Sequence, residues 1–280
     1  MIEMLTHRDG ATAPDDARAM TFPAGEQHIV LGEDATGPLA VLVRGAGAED
    51  LVAAAMAIDA AKRAGRRTAL VIPYLPGARQ DRGTPFGAAV YARLINAIGA
   101  DRVIALDPHS PVMPSLIENL AIHPLPRLVR RVMTRRVADT RMSPYVGVIA
   151  PDAGATARAR AVAAALSLPL FQARKHRDFA TGKLSGFTCE PLPGTGRLLV
   201  VDDICDGGGT FAGLAAATGL GPDRLDLWVT HGVFSGRAAQ LRDHFGQIHT
   251  TDSHPGHANP AVGAVIHPIT PTLIREALQS

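Results

Sequence analysis

Short apolar runs alternate with stretches of helical period along most of the chain. LAVLVR (39–44) is an unbroken hydrophobic run, and an apolar stripe of helical spacing follows from Glu49 to Ala64. TALVIP (68–73) reads as a second strand, PYLPGARQDRG as a loop, and about 86–98 as a helix. RVIALD (102–107), VGVIAPD (146–152), LLVVDD (198–203) and LDLWVTHG (225–232) continue the series, with a helix through ARARAVAAAL between the second and third of these. Strand runs without polar alternation, separated by helices, imply βαβ units and parallel sheets covered on both faces. Polar and glycine residues follow the C-terminal ends of these strands, where open α/β sheets bind ligands.

A basic helix over about 124–137 and the Ser-Pro of ADTRMSPY (138–145) mark a boundary. The expected architecture is therefore α/β, with two domains, 1–143 and 144–280, each a mostly parallel sheet flanked by helices. The closing TPTLIREALQS forms a short amphipathic helix, expected to pack back on the first domain. The 28 basic and 26 acidic residues nearly balance, which gives no electrostatic case for binding nucleic acid or a membrane surface. Two cysteines, no signal-like N-terminus and no long apolar span lead to the expectation of a soluble cytoplasmic protein without disulfides.

Chemistry concentrates in LLVVDDICDGGGTF (198–211). Backbone N–H groups of a glycine-rich turn converge on an anion, and the following helix adds its positive end. Asp206, Gly207, Gly208, Gly209 and Thr210 can thus cradle a phosphate. Asp202 and Asp203 would repel that phosphate and suit a vicinal diol or a bound Mg²⁺. Phosphate at one end and diol at the other describe a ribose 5-phosphate. In ARQDR, Arg79 offers delocalised charge to phosphates, and Gln80 and Asp81 offer hydrogen bonds. His109, in DPHS after a strand, and Asp152, in APDAG before a helix, are polar groups at ligand-facing positions. His231, His249, His254 and His257 match no zinc spacing and read as residues of polar strand-end loops.

The glycine loop resembles the phosphoribosyl-diphosphate motif of type I phosphoribosyltransferases. From about Phe22 onward, the chain resembles the ribose-phosphate diphosphokinase (PRPP synthetase) family. FPAGE (22–26), AIDAAKRAG (57–65), VIPYLPGARQDR (71–82), VIALDPHSP (103–111), APDAGATARAR (150–160), RKHR (174–177), VVDDICDGGGT (200–210) and THGVFSG (230–236) carry the likeness, in the family's order.

The resemblance implies transfer of the β,γ-diphosphoryl group of Mg-ATP to the anomeric hydroxyl of ribose 5-phosphate. It implies ATP contacts for Phe22, Glu26, Arg79, Gln80, Asp81 and His109, and Mg²⁺ contacts, direct or through water, for His109 and Asp152. Lys175 and Arg177 then stabilise the transferring group, and the chain assembles as a homo-oligomer, dimer or hexamer. A PRPP-consuming transferase and a non-catalytic regulatory homologue are the alternatives. The likeness departs at the N-terminus, where the usual first strand and helix look trimmed, and at Ala24, where the family has an acid that helps read adenine.

Overall fold

The computed structural model describes residues 2–8, 11–32, 36–137, 140–177 and 184–279, and leaves undescribed the side chains of 7, 8, 135–137, 140, 141, 176, 177, 184 and 185. The chain divides into two compact units. Residues 1–123, 253–255 and 269–280 form unit 1, and 124–252 with 256–268 form unit 2.

Unit 1 opens with four short strands: β1 (Ile2–Arg8), β2 (Ala11–Pro14), β3 (Arg18–Thr21) and β4 (Gln27–Val30). The βα series follows: β5 (Leu39–Val43), α1 (Ala48–Arg63), β6 (Thr68–Val71), α2 (Gly87–Ile98), β7 (Arg102–Leu106) and β8 (Leu120–His123). The sheet order is β2-β1-β5-β6-β7-β8, parallel from β5 to β8, with β1 antiparallel to β5 and to β2. The first strand is therefore present. Ile2 and Met4 are only half-buried against the core, so this edge hairpin carries a weaker apolar signal than β5, whose five residues are all buried. Glu49 and Asp50 begin α1 and Lys62 and Arg63 end it, charges that oppose the helix dipole at each end.

Unit 2 begins with α3 (Leu125–Met133), β9 (Arg135–Val137) and β10 (Thr140–Met142). Here the expected helix over 124–137 stops early, because Thr134 turns to extended backbone and its hydroxyl donates to the Arg130 carbonyl. This stretch clusters with unit 2, where α3 packs on α4, and not with the N-terminal residues as the Ser-Pro boundary implied. Then come β11 (Tyr145–Ala150), α4 (Thr156–Leu166), β12 (Leu170–Arg177), β13 (Leu184–Cys189), β14 (Arg197–Cys205), α5 (Gly209–Thr218), β15 (Leu225–Gly232), β16 (Ile248–Thr251) and β17 (Val265–His267). Their order is β13-β12-β11-β14-β15-β16-β17, all parallel except the β12–β13 hairpin. At the sheet's lower end, the Arg197 guanidinium holds buried Asp226, which also accepts the Tyr145 hydroxyl at 3.1 Å.

The last helix, α6 (Thr270–Leu278), belongs to unit 1, where it packs on β5, β6 and β7.

Candidate active site

β14 runs through the acid pair to Cys205, so Asp202 and Asp203 stand inside the strand instead of after it. Their side chains are 14% and 5% exposed. The Asp203 N–H donates to Asp202 Oδ1 at 2.9 Å, and Arg158 of α4 brings Nη1 to 3.7 and 3.6 Å from the two carboxylates. Burial, and then the charge of Asp203, raise Asp202 well above the usual carboxylate range, with Arg158 pulling the other way. Two adjacent carboxyl groups on one strand offer several oxygens to hydrogen-bond donors at this strand end.

The glycine loop joins β14 to α5. Gly208 caps the helix with φ +79°, and a Cβ there would lie 3.0 Å from the Leu241 side chain, so both backbone and space call for glycine. The N–H donors of a first helical turn have no acceptor in the helix's own ladder and face an anion. The loop after β15 braces this turn. Val233 and Phe234 N–H both donate to the Cys205 carbonyl at 3.0 Å, and Ser235 N–H donates to the Asp206 carbonyl at 3.2 Å. The Ser235 hydroxyl donates to the Asp206 carboxylate. Ser235 lies in the loop beyond β15, within THGVFSG, a stretch whose sequence alone marks no residue of the site. Cys205 is fully buried and its thiol is pushed up to about 12, mainly by burial, so it is no nucleophile.

Asp152 follows β11 by two residues, one strand over. Its Oδ1 accepts the Ala155 N–H at 3.0 Å and its Oδ2 the Lys175 ammonium at 2.5 Å. Burial works to raise this carboxyl, but Lys175 and the N–H groups of Ala155 and Gly154 outweigh it and hold the group below the usual range. The structure thus brings together Asp152, Lys175, Asp202 and Asp203 with the glycine loop at neighbouring strand ends. Arg177 ends β12 and its side chain lies outside the described residues.

The remaining expected residues stand in unit 1. Phe22 and Glu26 close the exposed β3–β4 hairpin, with Phe22 N–H donating to the Glu26 carbonyl at 2.8 Å. Arg79 and Gln80 are exposed and Asp81 half-buried in the loop after β6, and Gln80 N–H donates to the Gly77 carbonyl. His109 is exposed in the loop after β7, next to buried Asp107, which adopts φ +39°. His109 and Asp152, the pair implied for a metal, stand in different units. The His254 ring meets Tyr74, in the loop after β6, edge-on at 5.3 Å.

His231 and His249 are not in loops: both are buried within strands. His249 Nδ1 lies 3.1 Å from His267 Nε2, with the two rings stacked, and burial lowers His249 to about 4. Among the described residues, no three His, Cys, Asp or Glu side chains converge as a metal cage.

Residues 11–99 match the N-terminal domain of ribose phosphate pyrophosphokinase. The chain is 32% identical to a ribose-phosphate pyrophosphokinase of Hyphomonas neptunium over 245 residues, 82% of this chain and 76% of the relative. The chain belongs to the ribose-phosphate pyrophosphokinase family. A Rhizobium meliloti member is likewise 32% identical, over 79% of this chain and 73% of its own length. Against members from Granulibacter bethesdensis and Bradyrhizobium diazoefficiens, at 33% and 35% identity, the match spans only 62% and 58% of their lengths. The phosphoribosylpyrophosphate synthetase of Mycobacterium smegmatis superposes with a TM-score of 0.78 over 95% of this chain and 90% of that one, at 24% identity, which bears on the fold alone. No helix among the described residues is long and apolar enough to cross a membrane.

Proposed function

We propose that this protein is a ribose-phosphate diphosphokinase: it moves the β,γ-diphosphoryl group of ATP to the anomeric hydroxyl of ribose 5-phosphate, giving PRPP and AMP. The observation that carries the reading is the pairing of Lys175 with Asp152 at the strand end beside the acid pair and the glycine loop. A PRPP-consuming transferase needs the loop and the acids but does not need ARQDR, DPHS and RKHR together.

Ribose 5-phosphate lies with its phosphate on the N–H groups of Gly207, Gly208, Gly209 and Thr210 and its diol on Asp202 and Asp203. Asp206, tied to Ser235, shapes the loop from behind. Lys175 neutralises charge that builds on the transferring group, and its effect is largest in the transition state. Arg177 adds a second cation from the same strand. Arg79, Gln80, Asp81 and His109 hold ATP in unit 1.

Mg²⁺ is the implied ion. It takes one or two carboxylates and fills its shell with water and phosphate oxygens, so the ionised Asp152 fits it without a cage, and His109 is the second group implied. When bound, it would neutralise phosphate charge and align the donor. The exposed Phe22 at the β3–β4 tip, 42% accessible, supports assembly into a homo-oligomer in which this tip meets a second copy. A cytoplasmic location belongs to the same proposal.

The test incubates the protein with ATP, Mg²⁺ and ribose 5-phosphate. AMP and PRPP in equal amounts are expected. ADP as the nucleotide product, or no product from protein that melts cooperatively, overturns the reading.

A further inference from the structure

The parallel ladder between β11 and β12 ends at Ala150 and Gln172. Beyond that rung the two strands part. β11 turns through Asp152 into α4, while β12 runs on as a hairpin with β13, pairing Ala173 with Cys189 and Lys175 with Phe187. Asp152 and Lys175 thus sit on diverging chains, and something must fix the gap between them.

The Gln172 side chain spans that gap. Its amide nitrogen donates to the Asp152 carbonyl at 3.0 Å and to the Ala173 carbonyl at 2.6 Å. Its amide oxygen accepts the Thr156 hydroxyl, from the first turn of α4, at 2.6 Å. Both N–H groups and the acceptor are used, which fixes the amide's orientation. In effect it supplies one more rung after the backbone ladder has stopped. Asp152 is then held at its main chain by Gln172, at Oδ1 by Ala155 and at Oδ2 by Lys175.

We propose that Gln172 is a positioning residue for diphosphoryl transfer: its amide joins the two parting strands and sets the position of Lys175 relative to Asp152. The inference rests on the assignment of Lys175 as the transferring cation. Gln172 acts through the distance between two chains and touches no substrate itself. Its loss therefore changes the transition-state contact of Lys175 and leaves the acid pair and the glycine loop as they were.

The experiment compares Gln172→Met, which keeps the length and removes the amide, with Lys175→Ala and with the double variant. Gln172→Met should lower kcat by about 10–100-fold, the scale of an ångström-sized misplacement, with the KM for ribose 5-phosphate within about twofold of the parent. The double variant should be no slower than Lys175→Ala, because the two residues act as one unit. Gln172→Glu keeps the acceptor for Thr156 and loses the donor to Asp152, so it should be about as slow, on a more polar side chain that guards against misfolding.

A second measurement follows acetylation of the lysines by mass spectrometry in metal-free buffer. Lys175 should label several-fold faster in Gln172→Met, with Lys62 as the unchanged internal reference. Unchanged kcat in both Gln172 variants, losses that multiply in the double variant, or unchanged Lys175 labelling each overturn the proposal. Full turnover in Lys175→Ala would instead overturn the assignment of Lys175, and this inference with it.

Discussion

Two corners of unit 2 lie at neighbouring strand ends and are built in opposite ways. The corner after β14 is made of backbone. A left-handed Gly208, a helix start and main-chain hydrogen bonds from residues 233–235 hold its shape. The corner after β11 is made of side chains, with Asp152, Thr156, Gln172 and Lys175 holding one another. A backbone-built corner is fixed before any ligand arrives and suits a group that is only bound. A side-chain corner can exchange partners during a turnover, because an ammonium that pairs with a carboxylate at rest can pair with a phosphate later. Under the proposed function, binding and chemistry divide between the two kinds of construction.

The sharpest break in that comparison is Lys175→Ala. Turnover should fall by about 10²–10³-fold with the KM for ribose 5-phosphate nearly unchanged, as for removal of a group that acts in the transition state. Steady-state kinetics decide it, and a change confined to KM would put Lys175 on the binding side of the division. Asp203→Ala addresses the opposite corner. It should raise the KM for ribose 5-phosphate about 10–100-fold, the worth of charge-assisted hydrogen bonds to a sugar, and change kcat less. Calorimetric titration with ribose 5-phosphate checks this without turnover, and an unaltered affinity in folded protein would refute it.

Gly208→Ala asks whether the loop is as rigid as its bonding implies. A left-handed alanine, with its Cβ 3.0 Å from Leu241, should cost roughly 1–2 kcal/mol in a denaturant melt and weaken ribose 5-phosphate several-fold. A variant of unchanged stability would mean that the loop relaxes freely.

The smallest effect comes from a buried histidine at β16, lowered mainly by burial and then by the neighbouring His267. His249 takes a proton only near pH 4 in the fold, against 6.5 for a free histidine. Between those values the unfolded chain binds the proton and the native state does not, so stability falls as pH falls. The loss from pH 7 to about 5.5 should be about 1 kcal/mol, and His249→Phe should reduce it; melts at the two pH values measure both.

The parallel core of both units was legible because its strands are uniformly apolar. LAVLV, TALV and LLVV are buried on both faces and can be read without their neighbours. β1 was missed because an antiparallel edge strand needs only one apolar face, and Ile2 and Met4 alone mark it. The acid pair and the glycine loop were legible because residue type fixes their chemistry. Gln172 was not, since a glutamine in a strand is ordinary until its partners, 16 and 20 residues away in sequence, are known. His249 was misjudged for a similar reason. A histidine in sequence reads as polar, and only the His267 ring stacked on it, itself stacked on Trp228, shows how His249 is buried.

The membership of α6 in unit 1 also bears on how the protein is made. A ribosome delivers β1 to β8 first, yet the apolar surface of β5, β6 and β7 waits for Leu273, Ile274, Ala277 and Leu278 to cover it. The intervening unit 2 is contiguous apart from residues 253–255, so it can complete itself while its predecessor stays open. The first unit to begin folding is thus the last to finish, and it presents a sticky sheet face throughout synthesis of the second. Deleting residues 269–280 should therefore injure the N-terminal unit, and newly made chains should lean on chaperones until translation ends.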